Sequence, residues 1–107
     1  MNAGNLDRRI TIQTPRDVMD GDGGLFEDWI DLAEVWAQVL PLRGRELFVA
    51  QQVNSTIDTK FIIRYRDDVT ERCQIVYESR EYDIYSVVEL GRHEGLEILA
   101  SGVLRDD

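Results

Sequence analysis

Between Leu6 and Gln13, Ile10 and Ile12 alternate with Arg9, Thr11 and Gln13, the period-two pattern of a strand with one buried face. Pro15 has no backbone donor for a sheet ladder and is expected to end this strand. Arg16 to Asp28 then carries three glycines and four aspartates, residues that favour turns over regular structure. The segment is longer than a usual hairpin connection and predicts a long mobile loop at about 16–28. Trp29–Leu42 predicts a second strand, with Ala33, Val35, Ala37 and Val39 on one face and Leu32, Trp36 and Leu40 on the other. Pro41 ends it. Ala, Glu and Leu make a helix a competitor over Leu32–Val39. The sustained alternation and the aromatics favour the strand.

Arg45–Val53 has helical spacing, with Leu47, Ala50 and Gln51 on one side. Gly44 lies near its N-terminus, where Glu46 suits the helix dipole. Strand patterns return at Ile57–Arg66, where Phe61, Ile63 and Tyr65 oppose Ile62, Arg64 and Arg66. Gln74–Tyr77 is a short strand followed by a tight turn at Glu78-Ser79-Arg80. Glu81–Leu90 places Tyr82, Ile84 and Val88 on one side and Tyr85 and Val87 on the other. After a turn at Gly91–Gly95, Leu96–Leu104 is the last strand. Short strands with brief turns predict a mainly β fold. The expected architecture is a small antiparallel β-barrel or sandwich with one short inserted α-helix (about 45–53) and the long loop after the first strand.

At 107 residues the chain predicts a single domain, 1–107. Its lone cysteine, Cys73, rules out an intrachain disulfide and fits a reducing cytoplasm. No apolar run has the length of a membrane span, and the N-terminus carries no apolar signal core. A soluble protein with no membrane partner is expected. The net charge of −9 argues against a conventional duplex binder, which needs clustered Lys and Arg against phosphates.

Several segments together resemble the phage head–tail joining family (head–tail adaptor, stopper or head completion proteins). They are Gly4-x-Leu6-x-x-Arg9-Ile10-x-Ile12, the Asp/Gly-rich segment running into Trp29, and Val35-Trp36-Ala37-x-Val39. Pro41-Leu42-Arg43-Gly44-Arg45-Glu46 with Ala50 follows, then Ile63-Arg64-Tyr65-Arg66 and Tyr82-Asp83-Ile84. The resemblance implies a small β-barrel with a short helix, without catalysis or cofactor. It implies a virion protein made in the bacterial host cytoplasm and placed at the head–tail interface as a ring, a hexamer or dodecamer. Its partners would be further copies of itself, a portal or adaptor protein, and a tail or tail-terminator protein. Double-stranded DNA would pass through the ring unread, and some members of the family hold the packaged genome as a stopper.

The residues offer no competing chemistry of comparable weight. Asp20-x-Asp22 begins like a calcium loop, but the next positions are Gly24 and Leu25 where a ligand and a glycine are required. His93 has no companion ligands at metal spacing, and Cys73 has no candidate base. No enzyme is expected. The interface candidates are Leu25 and Phe26 in the loop, the aromatics Trp29 and Trp36, and Arg43, Arg45 and Glu46, which suit directional arginine–carboxylate contacts. Two other readings remain open. One is an acidic DNA mimic that inhibits a DNA-binding protein, although Arg64, Arg66, Arg72, Arg80 and Arg92 interrupt its carboxylates. The other is a different ring-forming tail component, such as a tail terminator.

Overall fold

In the computed structural model, which describes residues 5–102, the alternating segments become six strands and one helix. They are β1 (Arg8–Met19), β2 (Leu25–Pro41), α1 (Gly44–Val53), β3 (Thr59–Arg64), β4 (Gln74–Tyr77), β5 (Arg80–Leu90) and β6 (Gly95–Gly102). Gly4 of the family-like opening and the expected end of the last strand, at 103 and 104, lie outside the described residues. All neighbouring strands are antiparallel and close in the order β1-β2-β3-β6-β5-β4. Of the two expected architectures the barrel is the one found.

Alternation fills the interior. Ile10, Ile12, Ala37, Phe61, Ile63, Ile75, Ile98 and Ala100 are essentially inaccessible. Phe61 anchors them, edge-to-face with Tyr82 at 5.1 Å and with Tyr77 at 6.3 Å between ring centroids. Aromatic pairs in this geometry add attraction beyond the area they bury. A second cluster of Leu42, Ala50 and Ile57, with Leu47 and Leu99 against it, fastens α1 to the outer surface of β6.

Two expectations are corrected. The first is the loop at 16–28. β1 runs through Pro15 to Met19 and β2 already begins at Leu25, so only Asp20–Gly24 is a turn. The physical reason lies in the neighbours of β1. β4 pairs with it only over Thr11–Gln13, so beyond Gln13 one edge of β1 has, among the described residues, no ladder for a proline to break. The segment is therefore a two-stranded hairpin arm. Its six paired rungs from Thr14↔Ile30 to Met19↔Leu25 span roughly 20 Å at strand rise. That length accounts for the long axis of a molecule measuring 49 × 28 × 23 Å.

The second correction concerns β5. Its register with β6 shifts between Ile84 and Ser86, and a bulge of this kind puts later residues on the opposite face. Tyr82 and Ile84 point inward as expected. Beyond the bulge Val87 packs on the core while Val88 is 52% exposed, so Val88 does not share their face.

Candidate functional site

The arm ends in a turn built by one side chain. Asp20 Oδ1 accepts the backbone N–H of Asp22 (3.0 Å) and of Gly24 (2.7 Å), and the Asp20 N–H donates to the Gly24 carbonyl (2.9 Å). Gly23 occupies the left-handed region with φ +87°, where a residue without Cβ is at ease. Beside this turn Met19 and Leu25 are 71% and 70% exposed. Phe26 pairs with Val18 in the register, and Trp29 lies half-buried opposite Pro15. From Thr14 to Asp31 the arm carries Asp17, Asp20, Asp22, Glu27, Asp28 and Asp31 against the single cation Arg16. Without Asp31, which pairs with Gln13 at the base, the projection itself holds four of the chain's nine net negative charges.

A polar chain ties the arm to the barrel. Gln74, 1% exposed, donates through Nε2 to Gln13 Oε1 (2.7 Å) and to Glu81 Oε2 (2.9 Å), and Gln13 Nε2 donates to Asp31 Oδ1 (2.9 Å). These bonds sit at the register shift that follows Ile12, where β1 leaves the barrel. The same Gln74 has a buried Oε1 with no partner among the described residues. Its amide is oriented by the demand of the Glu81 carboxylate for a donor.

At the base of the arm a hollow is lined by Val35, Trp36, Arg64, Tyr65 and Arg66. Trp36 is 51% exposed. The Arg9 guanidinium covers its ring at 4.9 Å and is held by Glu34 at 2.7 Å. Arg66 grips Asp68 through Nε (3.0 Å) and Nη2 (2.8 Å). That pairing holds the Asp68 carboxyl below its ordinary range and raises the Arg66 guanidinium. Tyr65 stacks on His93 at 4.3 Å. Burial pushes the Tyr77 hydroxyl upward.

The other end of β2 leads into α1. Gly44, its first residue, has φ +56° with open space where a Cβ would stand. The backbone shape, not crowding, therefore calls for glycine between Arg43 and Arg45. Both arginines are exposed, while Glu46 is bound to Lys60 at 2.6 Å. Ala50 and Leu47 face the barrel as expected. Phe48, Val49 and Val53 are left outward at 65%, 55% and 66% exposure. Sequence reasoning missed this outward stripe. The available signal was the set of apolar residues left over once the Leu47–Ala50 side had been given to the core.

The seven interface candidates do not converge on one site. Leu25, Phe26 and Trp29 lie on the arm, Trp36 at its base, and Arg43, Arg45 and Glu46 beyond Pro41, with most of β2 between the two groups. Among the described residues no three His, Cys, Asp or Glu side chains are placed to hold a metal ion. No described helix is long and apolar enough to cross a membrane. What the molecule presents is a small closed barrel with an acidic arm at one end and an arginine-flanked apolar helix at the other.

The chain belongs to the phage head completion protein family, whose model matches residues 1–103. This is a family of virion structural proteins and not an enzyme family. The head completion protein gp16 of Bacillus phage SPP1 is 25% identical over 95 residues, covering 82% of this chain and 87% of that one. Among solved structures, protein SF1141 of Shigella flexneri 2a superimposes with a TM-score of 0.82 at 27% identity, over 99% of this chain and 100% of that one. A chain from the virion of a native gene transfer agent particle shares the fold, with a TM-score of 0.62 at 23% identity, over 94% and 97% of the two chains.

Proposed function

We propose that this protein is the connector that joins a filled phage head to its tail, assembling as a ring of six or twelve copies between a portal or adaptor protein and a tail protein. Membership of the head completion family across nearly the whole chain carries this reading. The unlike ends of the barrel support it. A joint between two different rings needs two different docking surfaces, and the arm and α1 differ in charge, shape and apolar content. The outward Trp36, Phe48 and arginines are residue types enriched at interfaces.

Double-stranded DNA passes through the ring without being read. A ring of six copies carries about −54 from the −9 of each chain. Carboxylates facing a lumen repel phosphates, whereas a basic wall would hold the genome by salt-sensitive contacts. A stopper role, in which the ring also retains the packaged genome, is the finer form of the same proposal.

The test is deletion of the gene, followed by packaging and infectivity measurements and electron microscopy of the particles. Full heads beside separate finished tails, or heads that have leaked their DNA, are the expected result. Leakage in particular supports the stopper form. Joined, infectious particles overturn the proposal.

A further inference from the structure

β2 is paired by β1 from Leu25 to Ala37 on one side, but on the other β3 covers only Ala37–Pro41. From Leu25 to Trp36 the second edge of β2 therefore has no strand beside it among the described residues. A bare edge presents a row of unpaired donors and acceptors, and a two-stranded ribbon standing alone in water is marginal. The other bare edge of the arm, on β1 from Thr14 to Met19, is shorter and contains Pro15. The β2 edge is the one built to take a third strand.

Its donors can be placed. In an antiparallel pair two opposed residues either exchange both backbone bonds or exchange none. Pro15 opposes Trp29 and has no N–H to give, so the Trp29 N–H points away from β1 and out of the open edge. It donates instead to Asp28 Oδ1 at 2.8 Å. Glu27 and Leu25, two and four residues away, present their N–H groups on the same side. The exposed backbone is thus partly capped by a carboxylate that an incoming carbonyl would displace.

Charge selects the incoming strand. Glu27, Asp28, Asp31 and Glu34 lie along the edge, and no cation occurs from Leu25 to Trp36. The same edge of a second copy would set like charges face to face, which is destabilising in a cross-strand pair. We propose that the β2 edge of the arm binds an extended basic segment of a partner virion protein as a third strand. Main-chain bonds supply the affinity. Lys or Arg on both faces of that segment, meeting Glu27 on one face and Asp28 on the other, supplies the selectivity. When the strand docks it takes over the Trp29 N–H and frees the Asp28 carboxylate for a cation. The inference rests on the connector reading and names the chemistry of one of its partners.

The test places photoreactive benzoylphenylalanine at position 25 of the full chain during particle assembly, and identifies the cross-linked peptide by mass spectrometry. A single basic segment of a different virion protein is expected. Glu27→Pro, which removes one outward donor, should lower the cross-link at least tenfold. So should the pair Glu27→Lys and Asp28→Lys, with the thermal transition of the free protein unchanged. Cross-links to another copy of this chain, to DNA or to an acidic segment would overturn the proposal, as would a yield indifferent to Glu27→Pro. If the chain is present in joined particles and no cross-link forms, the third-strand inference alone fails. If joined particles lack the chain, the connector reading fails and takes this inference with it.

Discussion

The hairpin arm should be separable from the barrel. Thr14 and Ile30 are paired in the β1–β2 register, so replacing residues 15–29 by Asn-Gly joins them through the two-residue turn that antiparallel strands accept best. No residue of the buried apolar core lies between Ile12 and Ala37. What is lost is the partial burial of side chains such as Val18 and Trp29, about 1–2 kcal/mol at ordinary transfer values. Shortening the connection from fifteen residues to two offsets this by up to about 1.8 kcal/mol of closure entropy. The two terms oppose each other, and the stability of the truncated chain should stay within about 1 kcal/mol of the parent. For a domain of this size that keeps Tm within roughly 8 °C. Circular dichroism melts of both chains measure this, and complementation of a gene deletion measures the other half. The truncated chain should fold and yet leave heads and tails unjoined. A loss above about 3 kcal/mol would refute the independence of the arm. A folded truncation that restores infectivity would refute its role.

Three further outcomes follow from the barrel. Phe61→Ala empties the centre of the aromatic cluster and should cost about 3–5 kcal/mol in urea unfolding. Glu78 and Ser79 both have positive φ, 51° and 63°, in the two-residue turn between Tyr77 and Arg80. Glu78→Asn with Ser79→Gly should therefore raise stability by about 1 kcal/mol, read as a higher Tm. Asp68 has its pKa lowered by Arg66, so its contribution is present above the ordinary carboxylate value of 3.8 and fades as pH falls through the lower folded value. Both partners are about one-third exposed, so Asp68→Asn should cost under about 1 kcal/mol at pH 7. The difference from the parent should vanish in acid melts.

Much of the fold was legible because its signal is local. Ile10 and Ile12, Phe61 and Ile63, and Leu96, Ile98 and Ala100 alternate cleanly and all point inward. α1 begins at Gly44, within one residue of the expected start. The failures came where a distant neighbour decided the outcome. Pro15 reads as a strand terminator unless it is known that β4 stops pairing at Gln13. The bulge at Tyr85 cannot be inferred from β5 alone, because its cause is the register with β6. As for the surfaces, Leu25, Trp36 and the arginines were singled out by residue type. Their separation to opposite ends depends on β2 being one unbroken strand of 17 residues, which the glycines and aspartates before Trp29 concealed.

The barrel is closed at its β1–β4 seam by only three residue pairs, the last of them Gln13 with Gln74. β1 continues past that rung directly into the arm, so the arm is a lever and Gln13–Gln74 is its fulcrum. Any force delivered to the tip would arrive first at this rung. It would peel this three-pair seam open one pair at a time, before the longer β1–β2 and β5–β6 ladders give way. The side-chain bond from Gln74 to Gln13 then acts as a rivet across the shortest ladder of the barrel, and a second bond, to Glu81, anchors Gln74 to β5. Gln74 alternates with Ile75, whose side chain fills the core, so it lies buried on the outer side of the wall, where a polar side chain can bond across the seam without placing a polar group in the apolar interior.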